Sequence, residues 1–359
     1  MELMQSSKEW ATRPDDQRYL SLEELRTSVA QRRGESWTAT PRTAALRAVV
    51  DQGELKVIVN DPTKGEDRLL LPSHWGFGQL ASYANAPASY LRRLPDELAA
   101  INLQWGLESD NVRPDALVLA QTNGHDQLRA VTSQSYGRIW DQEVVDAVIR
   151  VNSDGRWQIP AASYAHSNPK RATTLYASDR DVFLFLVDPA NPIEVNGEQM
   201  FRGFYAWNSE VGAATFGLTT FLYRYVCDNR IIWGATEVNE LRIRHTGGAP
   251  DRFAYEGARY LNRYANETTY QTVQAIERAQ AFEIPKAAEK GAVAEWLQAR
   301  GFTGAIAKAA VQHAESEEGQ ARSLWDVING ITAYARSIQH TDARVQVETD
   351  AGKLMKLVA

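Results

Sequence analysis

The chain has 359 residues, 44% of them hydrophobic and 23% charged, with a formal net charge of −6 and a single cysteine, Cys227. That composition excludes a disulfide framework, a cysteine-clustered metal site and a general, histone-like attraction to polyanions, while leaving enough chain for one large or two ordinary domains. The first twenty residues lack both a basic and an apolar leader region, and no apolar run approaches the ~20 residues of a membrane span, so a cytoplasmic protein with no membrane partner is expected.

In chain order, residues 1–44 read as a polar arm with one short helix, "SLEELRTSVAQRR". There Ser21 stands at a cap position and Glu24 three places on, the spacing of a capping box. "ELKVIVN" alternates and is rich in branched side chains; with "DPTKGED" as turn and "RLLLP" as second strand it predicts a hairpin. From Ser73 the period becomes helical, and Pro87 and Pro95 predict short, separate helices. "DALVLAQTNGHDQLRAVTSQ" predicts two strands around Asn123-Gly124. "DQEVVDAVIR" predicts a helix over 141–150 with Asp141 as cap.

The middle third reads as strands: "ATTLYAS", "DVFLFLVD" and "MFRGFYAWNS" are dense in branched and aromatic residues. "TTFLYRYVCDN" fits two periods. A strand places Phe221, Tyr223, Tyr225 and Cys227 on one face; a helix stacks Leu218, Leu222, Tyr225 and Val226 and ends at Asn229. The helix is the preferred reading. From residue 254 the pattern is helical, with one long helix expected over 255–282 and three more beyond it. The fold expected is α+β: a mixed or antiparallel sheet core over 45–253 with flanking short helices, and a helical C-terminal region over 254–359.

Five stretches in this order, "LASYANAPASYLRRLP", "LRAVTSQSYGRIWDQEVVDAV", "FYAWNSEVGAATF", "YRYVCDNRIIW" followed by "LRIRHTGG", and "SLWDVINGITAYARS", resemble the phage/plasmid-like proteins grouped as domain of unknown function 932. The resemblance implies a mobile-element context and no settled activity. Members of that family often carry "NSHDG" where this chain has Asn208-Ser209-Glu210-Val211-Gly212, so a His-Asp pair is replaced and a metal or acid–base role for it loses support.

The residues themselves offer two kinds of site. Asn208, Ser209, Glu210, Cys227, Asn229 and His245 form a candidate polar site, with Arg224 and Arg244 beside it. The single thiol reads first as a small buried residue, because a thiolate needs a neighbouring imidazole or a helix N-terminus. The six histidines are scattered without metal-ligand spacing, so neither a metal nor another cofactor is expected. Arginines interleave with aromatics in "SYGRIW", "FRGFYAW" and "FLYRYV", the pairing that single-stranded nucleic acid requires of its binder. Arg138, Arg171, Tyr205, Arg224 and Arg244 are the candidate contacts. The expectation is therefore a binding protein without catalytic machinery, acting on single-stranded DNA as a recombination or replication accessory and presented by a homo-oligomer. Its rivals are a factor that engages a host or phage protein, and an enzyme built from the 208–245 cluster.

Overall fold

The computed structural model describes residues 14–159, 173–224, 229–231, 240–266, 270–335, 337–338 and 341–358. Strand β1 (Arg18–Tyr19) leads into helix α1 (Leu22–Gly34), where the Ser21 hydroxyl accepts from the Glu24 amide at 3.1 Å, as the capping spacing predicts. Six strands then build a first sheet: β2 (Ser36–Ala39), β3 (Arg47–Asp51), β4 (Glu54–Asp61), β5 (Glu66–Pro72), β6 (Leu117–Thr122) and β7 (Asp126–Thr132). Their order is β2-β6-β7-β5-β4-β3, antiparallel except for the β5–β7 pair. The alternation in β4 buries Leu55, Val57 and Val59 on one face. The β6–β7 hairpin turns at Gly124 with φ +91°, a conformation that side chains with a Cβ avoid. Helices α2 (His74–Tyr83), α3 (Ala88–Leu91) and α4 (Asp96–Leu107) cover this sheet, interrupted at Pro87 and Pro95 as the sequence predicts.

The second sheet is antiparallel throughout. It comprises β1, β8 (Leu175–Ala177), β9 (Val182–Val187), β10 (Ile193–Val195), β11 (Glu198–Asn208), β12 (Phe216–Arg224), β13 (Asn229–Ile231) and β14 (Glu240–Ile243). One face carries Leu184, Leu186, Phe204, Ala206, Phe216 and Leu218 against helices α5 (Asp141–Val151) and α6 (Ala249–Asn266). The opposite face carries a separate layer of Phe183, Phe185, Tyr205 and Trp207. Two sheets with flanking helices and a helical C-terminal region make the α+β architecture that the alternation implied.

Two local expectations are corrected. Residues 216–224 are a strand, not part of a helix: β12 pairs with β11 over eight positions, from Met200↔Arg224 to Trp207↔Gly217. The segment's own spacing permits either period, and the ladders to β11 on one side and to β13 and β14 on the other decide it because together they pair its backbone groups. Cys227, expected at the end of that helix, lies outside the described residues. Asp141 does not cap α5 but is its first residue, since its carboxylate is drawn to Arg32 and Asn208 instead. The long helix expected over 255–282 is helical on both sides of 267–269, in α6 and in α7 (Tyr270–Ala281), and 267–269 lie outside the described residues.

Helices α8 (Ala292–Gln298), α9 (Gly304–Glu317), α10 (Leu324–Ala335) and α11 (Thr341–Lys353) complete the chain. With α7 they enclose a core that also takes in Ile193, Val195, Met200 and Leu222 from the second sheet, so strands and C-terminal helices share buried apolar surface. No helix among the described residues is long and apolar enough to cross a membrane.

The β11–β12 ladder places Gly217 opposite Trp207, where a Cβ would stand 1.9 Å from an indole carbon. Gly217→Ala is expected to destabilise by about 1–3 kcal/mol through overpacking. The midpoint of chemical denaturation checks it; an unchanged midpoint would mean that the indole can step aside.

Candidate functional site

The turn between β11 and β12 carries Ser209 and Glu210, with Asn208 at the last position of β11, into the junction of the two sheets. There Glu210 meets Arg129 of β7 at 2.6 Å and Arg32 of α1 at 3.2 Å, while Arg32 also reaches Asp141 at 2.6 Å. The Asn208 amide donates to the Asp141 carboxylate at 2.7 Å and to the Ile139 carbonyl at 2.9 Å. The Asp141 amide donates to Glu210 at 3.2 Å, and the Arg138 guanidinium donates to the Glu210 carbonyl. Ser209 ties the same turn to Arg180 O at 2.5 Å and accepts from the Ala213 amide at 2.9 Å.

Glu210 and Arg129 are each 1% exposed, so this is an internal cross-link between sheets. Burial works against ionisation of Glu210, but the Arg32 and Arg129 charges outweigh it and hold its pKa below the ordinary value. Burial, reinforced by the Glu210 charge, pushes Asp141 well upward, and Arg32 and Asn208 only partly offset this. His245 lies beside the network, stacked on Tyr136 with centroids 5.0 Å apart and with Nδ1 3.1 Å from the Gly137 carbonyl. Burial, with Arg138 adding to it, lowers the His245 pKa to about 4, so the ring is neutral at physiological pH.

The accessible chemistry is elsewhere. An open groove of about 920 Å³ runs beside β14 and the start of α6, lined by Thr215, Arg242, Arg244, Thr246, Gly248 and Arg252 among others. It exists because β14 alternates: Leu241 and Ile243 enter the core, and Arg242 and Arg244 project outward. Arg242 also lies over the Trp207 ring at 5.9 Å, and Arg252 is ion-paired to Glu256 at 2.8 Å. Among the described residues Arg244 makes no ion pair.

The candidate residues are thus dispersed among four places. Asn208, Ser209, Glu210, His245 and Arg138 meet at the junction. Tyr205 lies in the aromatic layer, and both it and Arg138 are buried, which removes them as contacts for nucleic acid in this conformation. Arg244 lines the groove. Arg224 and Asn229 face each other in the β12–β13 register, while Arg171 and Cys227 lie outside the described residues. Sequence reasoning missed Arg32, Arg129, Arg242 and Arg252. The alternation in "LRIR" carried a signal for Arg242, whereas Arg129 sits within a continuous buried run that gives no hint of an ionic partner. Among the described residues no three His, Cys, Asp or Glu side chains are grouped to hold a metal ion.

A family model described as a domain of unknown function (DUF932) matches residues 130–356. The matched span starts inside β7 and takes in the second sheet, the groove and the C-terminal helices, leaving most of the first sheet outside it. No curated protein and no solved structure matches the chain.

Proposed function

Since the chain belongs to the family described as domain of unknown function DUF932, which brings no activity with it, we propose from its own surface that it binds single-stranded nucleic acid along the groove beside β14. The observation that carries this reading is the set of guanidiniums of Arg242, Arg244 and Arg252 in one open groove. Arg242 of β14 and Arg244, one residue past its end, are two positions apart and both exposed, which sets them about 6–7 Å apart if the chain stays extended. That spacing is comparable with the distance between successive phosphates of an extended strand. We take this open groove, about 920 Å³ in volume, as the seat of a few unpaired nucleotides. A role accessory to replication or recombination of a mobile element belongs to the same proposal, supported by the resemblance of the ordered segments.

Binding is preferred to catalysis because Glu210 and His245, the polar groups a reaction would draw on, are turned inward and engaged by neighbours. With a net charge of −6 the chain has no general attraction for phosphate, so affinity depends on the local field and must be salt-sensitive. Three phosphate contacts give a slope of log K against log salt of about −2 for a single strand, or a loss of roughly 20-fold between 50 and 200 mM salt.

Fluorescence anisotropy with a labelled oligonucleotide tests this. Arg242→Gln and Arg244→Gln are each expected to weaken binding and to reduce the salt slope by about 0.7. No binding at micromolar protein in low salt, stronger binding to duplex than to single strand, or full affinity in the double variant would overturn the proposal.

A further inference from the structure

Helix α6 starts at the groove and leaves it along an exposed stripe of arginines. Arg252, which lines the groove, is followed by Tyr255 three residues on, and by Arg259 and Arg263 seven and eleven residues on. Those intervals are close to one, two and three helical turns, so the four side chains share one side of the helix. All four are exposed, while Phe253, Gly257, Leu261 and Tyr264 on another side are buried. Tyr255 is 65% exposed, and the Arg259 guanidinium lies over its ring at 4.6 Å. Glu256 flanks the stripe and pairs with Arg252 at 2.8 Å; among the described residues Arg259 and Arg263 are in no ion pair.

We infer that Tyr255 is the stacking platform for a base of the single strand held in the groove, and that Arg259 and Arg263 take the phosphates beyond that base. This rests on the reading of the groove as a single-strand site and extends it along α6. Arg252 belongs to both surfaces, so a strand leaving the groove past Arg252 meets Tyr255 next. The Arg259 guanidinium covers one face of the ring and leaves the other to a base, which places the ring between a cation and a stacked partner. A ring already held by its arginine loses less freedom when the strand arrives.

The chemistry of the stripe selects this occupant. Its arginines surround a single ring, with no aliphatic side chain on the same side of the helix between Arg252 and Arg263. An apolar protein face or a bilayer requires a contiguous apolar patch, which one ring does not supply. A chain that carries a charge and a flat ring at every step matches guanidiniums set around an aromatic ring. The stripe runs about 16 Å along the helix, more than two of the intervals between Arg242 and Arg244. In a protein with a net charge of −6, three arginines and one flanking carboxylate over that length make a local positive field.

Anisotropy titrations of the full chain with labelled oligothymidylates of about 4 to about 16 nucleotides test it. Tyr255→Ala is expected to weaken binding of the longest by about 5- to 150-fold, the effect of losing one stacked base, and to leave the salt slope unchanged. Tyr255→Trp should keep the affinity. Arg259→Gln and Arg263→Gln should each lower the salt slope by about 0.7. An abasic chain of equal length and charge isolates the stacking: removing the bases should cost the native protein more than it costs Tyr255→Ala. Circular dichroism melts that match the native protein, expected because all these positions are exposed, separate lost contact from lost fold. Native affinity in Tyr255→Ala, or an equal loss by both proteins on the abasic chain, would overturn the inference; if Arg242→Gln and Arg244→Gln still weakened binding, the groove reading would stand without it. A native protein that binds none of the oligonucleotides would overturn both.

Discussion

Replacing Glu210 with glutamine is expected to lower the unfolding free energy by about 3–5 kcal/mol, the cost of removing one partner from a buried ion network. Glutamine preserves the shape but not the charge, so Arg129, itself 1% exposed, loses its carboxylate partner among the described residues, and Arg32 keeps Asp141. An exposed pair offers the contrast. Arg47 and Asp67 meet at 2.8 Å on the surface, and Asp67→Asn should change stability by no more than about 0.5 kcal/mol. Guanidinium-chloride unfolding of both variants at pH 7 measures the difference.

The pH dependence follows from the same contacts. Because the folded-state pKa of Glu210 lies below its ordinary 4.5, its contribution is present above that value and is lost as pH falls toward the folded pKa. Asp141 has the opposite linkage: with its folded pKa raised, its contribution is largest in acid and fades as pH rises. The native chain should therefore lose the Glu210 contribution below about pH 4.5, and Glu210→Gln should unfold with a flatter acid limb. A loss below 1 kcal/mol at pH 7, with an unaltered acid limb, would show that the sheets are held together by something other than this turn.

Replacing Trp325 with alanine is expected to cost about 3–5 kcal/mol, as truncation of a large buried aromatic does. Trp325 is 2% exposed in the second residue of α10, and its indole N–H donates to Glu198 at the start of β11 at 3.1 Å. It therefore joins the C-terminal helices to the second sheet through both packing and a hydrogen bond. Beside it, Ile193, Val195 and Met200 of the sheet lie in one core with Leu324, Ile328 and Ile331 of α10. Trp325→Phe, which keeps most of the ring and loses the donor, should cost markedly less. If the helices formed a core of their own, Trp325→Ala would melt them in a separate transition ahead of the sheets. A single cooperative transition at a lower midpoint is the expected result.

Much of the architecture was legible in local patterns. The capped helix after Ser21, the hairpin of β4 and β5, the proline-separated helices and the Asn123-Gly124 turn each rest on interactions within a few residues, and each is present. The polar residues Asn208, Ser209 and Glu210 stood out as a group and do form one, although they face inward. What misled was 216–224: its spacing suits a helix or a strand, and its true state depends on β11, a neighbour no local pattern reveals.

Composition and periodicity thus determined the α+β class and most elements, because these follow from short-range preference and from alternation across a pleat. Only the tertiary structure decided which charges are sealed and which are open. Arg129, Arg138 and Arg244 are alike as letters, yet the first two are buried by packing between elements far apart in the chain, and the third is left at a groove. Exposure is a property of the assembled surface. The Glu210 cross-link between two sheets does not exist until those sheets and their helices have come together.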